Sequence, residues 1–189
     1  DNGDHAKKIL IDLWGSATLR TAGEEFAMAL CLLGVKPIWK KGSDRIDGIE
    51  IVTLAELGRP RVDVTLRVSG LFRDTFPSLT KLFDQAINIL ADRHEDIQDN
   101  PFINITDRSR VYGPKFGNYG LDMSSTVKEY SKKNRKEYGE AWIESSAWSI
   151  IGDKTVYNKE GIEKRVKEAD TYLHVQDLKE TDILLSADY

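Results

Sequence analysis

The sequence has 189 residues, with 27 Lys and Arg against 31 Asp and Glu, so its formal net charge is −4. This length suits one domain, and without a basic excess we expect no nucleic-acid binding. The one cysteine, Cys31, excludes a disulfide framework and a cysteine-rich metal site. No apolar run is long enough for a membrane span, and the polar residues 1–8 do not resemble a signal peptide. We therefore expect a cytoplasmic α/β domain.

The first third of the chain alternates between strand and helix signals. Residues 9–14 form a nearly continuous apolar run, which is typical of a strand covered on both faces. Residues 22–33 carry apolar side chains at helical spacing, and Gly34 favours the end of that helix. Two more strands are predicted at 35–40 and 49–52.

The clearest strand signal is the alternation in residues 62–68. Its apolar side chains point one way and its polar ones the other, with the polar set comprising Asp63, Thr65, Arg67 and Ser69. Gly70 ends this strand, and a long helix follows Pro77. The element order predicts a Rossmann-like layered α/β fold with a mostly parallel sheet flanked by helices, in which 62–68 lies beside the first strand.

The second half has weaker signals and is predicted to be helical and loop-rich. A short strand at 108–112 precedes a glycine-rich loop at 113–120. Helices are expected at 123–143 and 159–169, and a last strand at 171–176.

These elements are interpreted as one α/β domain that occupies 1–189. Within it, 1–112 is the Rossmann-like core, 113–170 is the helical and loop segment, and 171–189 contains the returning strand. No internal repeat or low-complexity tract divides the chain.

The common cofactor motifs are missing from the sequence. No Gly-x-Gly-x-x-Gly follows the first strand, so a dinucleotide would lack its phosphate loop. No Gly-x-x-x-x-Gly-Lys-[Ser/Thr] is present, so we do not expect this chain itself to hydrolyse ATP. No His-Glu-x-x-His is present either.

Three segments carry a family resemblance, together with Arg-Val-Tyr-Gly at 110–113 and Gly-Asn-Tyr-Gly at 117–120. They are Leu13-Trp14-Gly15 with Arg20-Thr21-Ala22-Gly23-Glu24; the run 54–74, LAELGRPRVDVTLRVSGLFRD; and His174-Val175-Gln176-Asp177 followed by Glu180, Asp182 and Ser186-Ala187-Asp188-Tyr189. In this order they resemble the large subunits of class I metal chelatases, namely CobN of cobaltochelatase and its counterpart in magnesium chelatase. The run 63–70 is more similar to the cobalt branch.

The resemblance implies ATP-dependent insertion of a divalent metal, Co²⁺ or Mg²⁺, into a tetrapyrrole. Separate AAA+ subunits would hydrolyse the ATP, and the remaining domains of a longer parent subunit would complete the protein, because the family's subunits are several-fold longer. The cobalt branch implies a corrin precursor in cobalamin biosynthesis. The alternatives are a magnesium-type porphyrin chelatase, an interaction scaffold without catalysis and a Rossmann-like small-molecule binder.

Two carboxylates, Glu24 and Asp74, are candidates for removing the pyrrole protons. Each also has a structural interpretation. Thr21 and Glu24 have the spacing of a capping box, and Asp74 could cap the helix after Pro77.

Six further residues are candidates for binding. Amide and basic groups suit the macrocycle's acidic or amidated side chains, and the candidates are Arg67, Ser69, Arg73 and Gln176. His174 and Asp177 are the candidate metal ligands. The arginines could instead form structural ion pairs, and a lone histidine is often structural. Because parallel strands end at one sheet edge, we expect a cluster there of Glu24, Arg67, Ser69, Arg73 and Asp74.

Overall fold

The computed structural model describes residues 5–43, 45–119, 135–152 and 154–174. Along these residues the elements are β1 (Lys8–Leu13), α1 (Gly15–Thr21), α2 (Glu24–Leu33), β2 (Val35–Trp39), β3 (Ile46–Ile51), α3 (Leu54–Leu57), β4 (Asp63–Val68), α4 (Gly70–Thr75), α5 (Pro77–Ala91), β5 (Val111–Gly113), α6 (Arg135–Ser145), β6 (Trp148–Ile151), β7 (Lys154–Tyr157), α7 (Lys159–Glu168) and β8 (Thr171–His174).

Six strands form the main sheet, in the order β7-β6-β5-β4-β1-β8. Strands β8, β1, β4 and β5 are parallel, and β6 and β7 extend the sheet in antiparallel fashion. The mostly parallel, helix-flanked sheet predicted from the sequence is confirmed. The predicted neighbours are confirmed as well, because β1 pairs with β4 from Lys8 opposite Asp63 to Leu13 opposite Val68.

Both faces of the sheet are covered. On one face, apolar residues of β1 and β4 pack with α2 and α5, and the shared core includes Leu66, Phe26, Phe83 and Ile87. On the other face, a smaller cluster comprises Leu10, Tyr112, Ala147 and Ile162. Every residue of β4 is buried, including its polar half. The polar face of β4 is therefore an internal polar layer, not a solvent-facing surface.

Strands β2 and β3 form a separate antiparallel hairpin. The link between them, 40–45, is far shorter than the dozen residues that a parallel crossover needs, so they pair with each other. Arg61 fastens the hairpin to the body of the domain. Its guanidinium donates to the carbonyl oxygens of Leu33, Gly34 and Val52 at 3.1, 3.1 and 2.8 Å.

The helix expected at 22–33 is preceded by a second helix, α1, where the sequence indicated a turn. Ala22 and Gly23 separate the two helices because both have left-handed backbone angles, with φ of 56° and 84°. The expected capping box is wrong: Gly23 is the N-cap of α2, and Thr21 donates to Glu25 at 2.8 Å instead. The expected Asp74 cap is also wrong, because Phe76 occupies the N-cap of α5.

The second half contributes more strand than the sequence indicated. The β6–β7 hairpin was not predicted, whereas β5, α7 and β8 lie close to their expected positions. Helix α6 covers the end of the helix expected at 123–143, and the earlier part lies outside the described residues. No helix in the described ranges is long and apolar enough to cross a membrane.

Candidate functional site

The turns after β1 and β4 are joined at the carboxyl edge of the sheet. The Ser69 hydroxyl accepts hydrogen bonds from the backbone N–H groups of Gly15 and Phe72, both at 3.1 Å. It thereby caps α4 and holds the start of α1 beside it. Gly15 is required here, because a Cβ would lie 2.7 Å from Leu71 Cγ and 2.8 Å from Phe72 N. Ser69 is buried, and it therefore builds the edge without being open to a ligand itself.

A buried ion pair lies directly below this edge. Asp12 and Arg67 are cross-strand partners on β1 and β4, and Arg67 Nη1 donates to Asp12 Oδ1 at 3.1 Å. Asp12 is 5% exposed and Arg67 is 1% exposed. A pair so completely removed from water needs further hydrogen bonds to satisfy its remaining polar atoms.

Arg67 obtains those partners from the end of α6 and from two indole rings. Its Nε donates to Ser146 Oγ at 3.2 Å. Its Cζ lies 5.3 Å from the ring centroid of Trp14 and 5.8 Å from that of Trp142, so cation–π attraction acts from both rings. The guanidinium is therefore fixed in position, and it acts on its surroundings through its charge.

The second oxygen of Asp12 faces β8. Asp12 Oδ2 accepts from the Tyr172 hydroxyl at 2.9 Å and from Trp14 Nε1 at 3.2 Å, and it lies 3.5 Å from His174 Nδ1. The register explains this contact, because Asp12 is opposite His174 in the β1–β8 pairing. The His174 side chain is 14% exposed. It therefore lies at the boundary between the buried network and the open edge.

The network sets the charge state of its carboxylate. Burial alone would raise the pKa of Asp12, but the Arg67 charge and the hydrogen bonds from His174 and Tyr172 outweigh it and lower the pKa to about 2. Tyr172 is 54% exposed, but desolvation at its hydroxyl, which donates to the buried Asp12, and the Asp12 charge raise its pKa. At neutral pH the network thus contains a carboxylate, a guanidinium and a neutral phenol.

Arg73 and Asp74 lie on α4 and bind each other and the loop after β5. Arg73 donates to both Asp74 oxygens at 2.6 and 3.1 Å, and to the carbonyl oxygens of Pro114 and Lys115 at 2.8 and 3.0 Å. The Arg73 hydrogen bond and charge lower the pKa of Asp74. The structure thus places Arg73 and Asp74 beside the edge, engaged with the protein's own backbone.

Glu24 lies elsewhere, at the start of α2. It lines a cavity of about 610 Å³ between α2, the β2–β3 hairpin and the start of α5, together with Trp39, Arg45 and Phe76. Of the five residues expected to cluster, the structure brings Arg67, Ser69, Arg73 and Asp74 to the carboxyl edge through β4 and α4.

The two other candidates, Gln176 and Asp177, lie outside the described residues. Among the residues that the structure does describe, no group of three or more His, Cys, Asp or Glu side chains is arranged to hold a metal ion.

The sequence interpretation missed Asp12, Trp14 and Tyr172 as members of the site. A signal for Asp12 was present, because it is the one charged residue in the apolar run 9–14. A charge inside a doubly covered strand requires a buried partner, and this requirement identifies functional candidates. Tyr172 carried no such signal, since its contact depends on the β1–β8 register.

The chain is similar to known chelatase subunits along its whole length. A family model described as CobN/Magnesium Chelatase matches residues 1–189. The chain belongs to the CobN/magnesium chelatase family. Aerobic cobaltochelatase subunit CobN of Pseudomonas aeruginosa is 34% identical, over 100% of this chain and 17% of that protein. The magnesium-chelatase ChlH protein of Oryza sativa subsp. japonica is 28% identical, over 81% of this chain and 12% of that protein.

A solved structure supports the same family. The catalytic subunit of cobaltochelatase from Mycobacterium tuberculosis has a TM-score of 0.81 and 28% identity, and the match covers 96% of this chain and 16% of that one. The family resemblance seen in the sequence motifs, with its closer similarity to the cobalt branch, is confirmed. The chain spans 17% of the length of the Pseudomonas aeruginosa CobN protein.

Proposed function

We propose that this chain is part of the tetrapyrrole-binding large subunit of a cytoplasmic, ATP-dependent chelatase that inserts Co²⁺ into a corrin precursor for cobalamin biosynthesis. The observation that carries the proposal is the Asp12–Arg67–His174 network at the carboxyl edge of the sheet, where open α/β sheets bind their ligands. The cobalt branch is favoured because its relative matches the full chain, whereas the magnesium relative matches 81% of it.

Metal insertion requires the removal of two pyrrole N–H protons while the cation exchanges its water ligands. Imidazole is a good ligand for a borderline divalent ion, and a carboxylate at Nδ1 is the usual outer partner of a histidine that binds a metal. His174 with Asp12 at 3.5 Å has this arrangement. We assign His174 to transient coordination of the incoming metal, together with Asp177 three residues further along the chain.

Glu24 and Asp74 remain the proposed proton acceptors. Asp74 lies beside the carboxyl edge, but two nitrogen atoms of Arg73 stabilise its ionised form and weaken it as a base. Glu24 is exposed, but it lines the separate cavity beside the hairpin and can act only on a macrocycle that reaches that cavity. Gln176 and Arg67 would act on the macrocycle side chains, Gln176 by hydrogen bonding and the buried Arg67 through its charge. ATP hydrolysis is assigned to separate AAA+ subunits, as the family resemblance implies.

The test is a titration of the full-length subunit with a metal-free corrinoid and with a metal-free porphyrin, followed by insertion assays with Co²⁺ and Mg²⁺ in the presence of the ATPase subunits. We expect tighter binding of the corrinoid and ATP-dependent insertion of Co²⁺. Preference for the porphyrin with insertion of Mg²⁺ would support the magnesium-type alternative. Binding of neither macrocycle would overturn both.

A further inference from the structure

Two aromatic side chains on the loop that follows β5 are exposed to solvent. Phe116 is 73% exposed and Tyr119 is 58% exposed. Phe116 lies inside a turn that Asn118 N closes by donating to Lys115 O at 2.9 Å, with Gly117 at a φ of 89°, and Tyr119 directly follows this turn. Exposed rings on a surface loop are usually mobile or scattered, so their attachment to the rest of the protein decides whether they form a functional surface.

The loop is attached through α4. Arg73 binds two loop carbonyls, and its Cζ lies 5.0 Å from the ring centroid of Phe116. Asp74, which Arg73 holds with two hydrogen bonds, accepts a hydrogen bond from the Tyr119 hydroxyl, and this bond raises the pKa of Tyr119. Both exposed rings are therefore held by one ion pair.

Close backbone packing seats the same loop on the carboxyl end of β4. A Cβ on Gly70 would collide with the Asn118 carbonyl oxygen and would lie 2.8 Å from Tyr119 Cα. At the beginning of the loop, a Cβ on Gly113 would lie 2.8 Å from the Val68 carbonyl oxygen. The loop therefore adjoins the edge where β4 ends.

We propose that Phe116 and Tyr119 form an aromatic face that packs on the conjugated ring system of the tetrapyrrole, and that Arg73 and Asp74 are positioning residues that hold this face. The inference rests on the proposed function and gives Arg73 and Asp74 a different role within it. A large conjugated macrocycle suits aromatic surfaces, because packing on its face combines apolar burial with favourable ring–ring contact. Rings already fixed by Arg73 and Asp74 lose little entropy on binding. Lys115, which precedes Phe116, is exposed, and its ammonium lies 5.6 Å from the ring centroid of Trp148; its charge suits a carboxylate on the macrocycle rim.

The experiment measures the dissociation constants of the full-length subunit for deuteroporphyrin IX and for a metal-free corrinoid, by equilibrium dialysis. We expect Phe116→Ala and Tyr119→Ala each to weaken binding about 5- to 20-fold, without a change in melting temperature, because both rings are exposed. The matched control is Trp39→Ala, which removes a ring that is 57% exposed on the separate hairpin. The control should bind both macrocycles as the unmodified protein does.

A double-mutant cycle tests the positioning role. If Asp74 acts through the Tyr119 hydroxyl, Asp74→Ala alone should weaken macrocycle binding. In a protein that already carries Tyr119→Phe, Asp74→Ala should weaken it further by less than about twofold. If Phe116→Ala and Tyr119→Ala both bind the macrocycles as tightly as the unmodified subunit does, the proposed aromatic face is wrong, and the proposed function is unaffected. Loss of affinity in Trp39→Ala alone would also overturn the aromatic face, in favour of the cavity beside the hairpin. Failure of the unmodified subunit to bind either macrocycle would instead refute the proposed function.

Discussion

Each end of β4 carries a buried charge, and the two charges are neutralised in different ways. Asp63 and Arg67 lie on one face of this strand, four residues apart, and each needs a buried partner of opposite charge. At the amino end, both Asp63 oxygens bind Arg110, and Arg165 Nη1 adds a third contact at 3.4 Å. The cavity beside them is only about 10 Å³.

At the carboxyl end, the buried Asp12–Arg67 pair has additional partners that can take part in chemistry. Arg67 makes one hydrogen bond to Asp12, and the other Asp12 oxygen is shared by Tyr172 and His174 at the edge. The side chains that neutralise each other at the amino end are arginines and carboxylates, whereas the carboxyl end adds an imidazole and a phenol. We therefore expect the Asp63–Arg110 pair to stabilise the fold and the Asp12–Arg67 pair to serve the proposed site.

The largest effect on stability is expected at the amino end. Arg110→Ala leaves Asp63 buried with one distant partner, so the free energy of unfolding should fall by about 3–5 kcal/mol. The measurement is urea denaturation of the 189-residue chain, which we expect to fold because its sheet is covered on both faces. The matched control is Arg108→Ala, whose exposed pair with Asp92 should contribute less than about 1 kcal/mol. Equal losses in the two variants would contradict the structural role of the amino-end pair.

A smaller loss is expected for Asp12→Asn at the carboxyl end. The amide keeps the shape and can still accept from Tyr172, but it no longer neutralises Arg67, so we expect a loss of about 2 kcal/mol. The same substitution should lower the pKa of Tyr172 toward its usual value of 10, because the Asp12 charge helps to raise it. Ultraviolet titration of the tyrosines measures this shift. An unchanged tyrosine titration would show that the Asp12–Tyr172 contact does not form.

Acidification should destabilise the folded chain, because two ion-paired carboxylates have lowered pKa values and lose their charge in acid. Hydrogen bonds from Arg61 lower the pKa of Glu95 from 4.5 to about 2. Burial raises the pKa of Asp12, but the Arg67 charge and the hydrogen bonds from His174 and Tyr172 together lower it from 3.8 to about 2. Folded-state pKa values below the unfolded ones stabilise the protein above about pH 4.5, and this contribution is lost as the pH falls toward 2. Each group contributes on the order of 2 kcal/mol.

The measurement is the free energy of unfolding between about pH 6 and pH 2.5. Glu95→Gln should be less stable than the unmodified chain at the upper end of this range, and its stability should fall less steeply with acid. A slope identical to that of the unmodified chain would show that Glu95 is not selectively ionised in the folded state.

The smallest effect is expected on the exposed face of α6. Lys136 and Glu140 are 86% and 65% exposed and lie 3.7 Å apart. Lys136→Ala should change the free energy of unfolding by less than about 0.5 kcal/mol. A larger change would mean that this face is covered in the folded chain.

The alternation in 62–68 was enough to predict β4 and its place beside β1, because period-two patterning and short connections constrain a layered sheet. The hairpin β2–β3 could not be placed in the same way, since the apolar pattern of a strand does not name its partner. The short connection between β2 and β3 was the one feature of the sequence that indicated their pairing with each other. The β6–β7 hairpin was missed because each strand has only four residues, β7 is mostly exposed, and β6 contains just two buried residues in a row.

The candidate site was predictable where it depends on parallel strands ending together, as for Arg67, Ser69 and Arg73. It was not predictable where it depends on register and burial. Asp12 contacts Arg67 and His174 only because β1 lies between β4 and β8. The register places Arg67 of β4 opposite Asp12 on one side and His174 of β8 opposite it on the other. Glu24 was expected at the edge, but the extra helix α1 displaces the start of α2 to a different cavity.

If the carboxyl edge handles the metal, loss of the His174 imidazole should slow metal insertion. His174→Ala in the full-length subunit, assembled with its ATPase partners, is compared with His94→Ala, which changes an exposed histidine away from the network. We predict that the Co²⁺ insertion rate falls at least about tenfold in His174→Ala, as for the loss of a metal ligand, while macrocycle affinity stays within about twofold. The His94→Ala variant should insert Co²⁺ at the unmodified rate. An unchanged rate in His174→Ala would contradict the account.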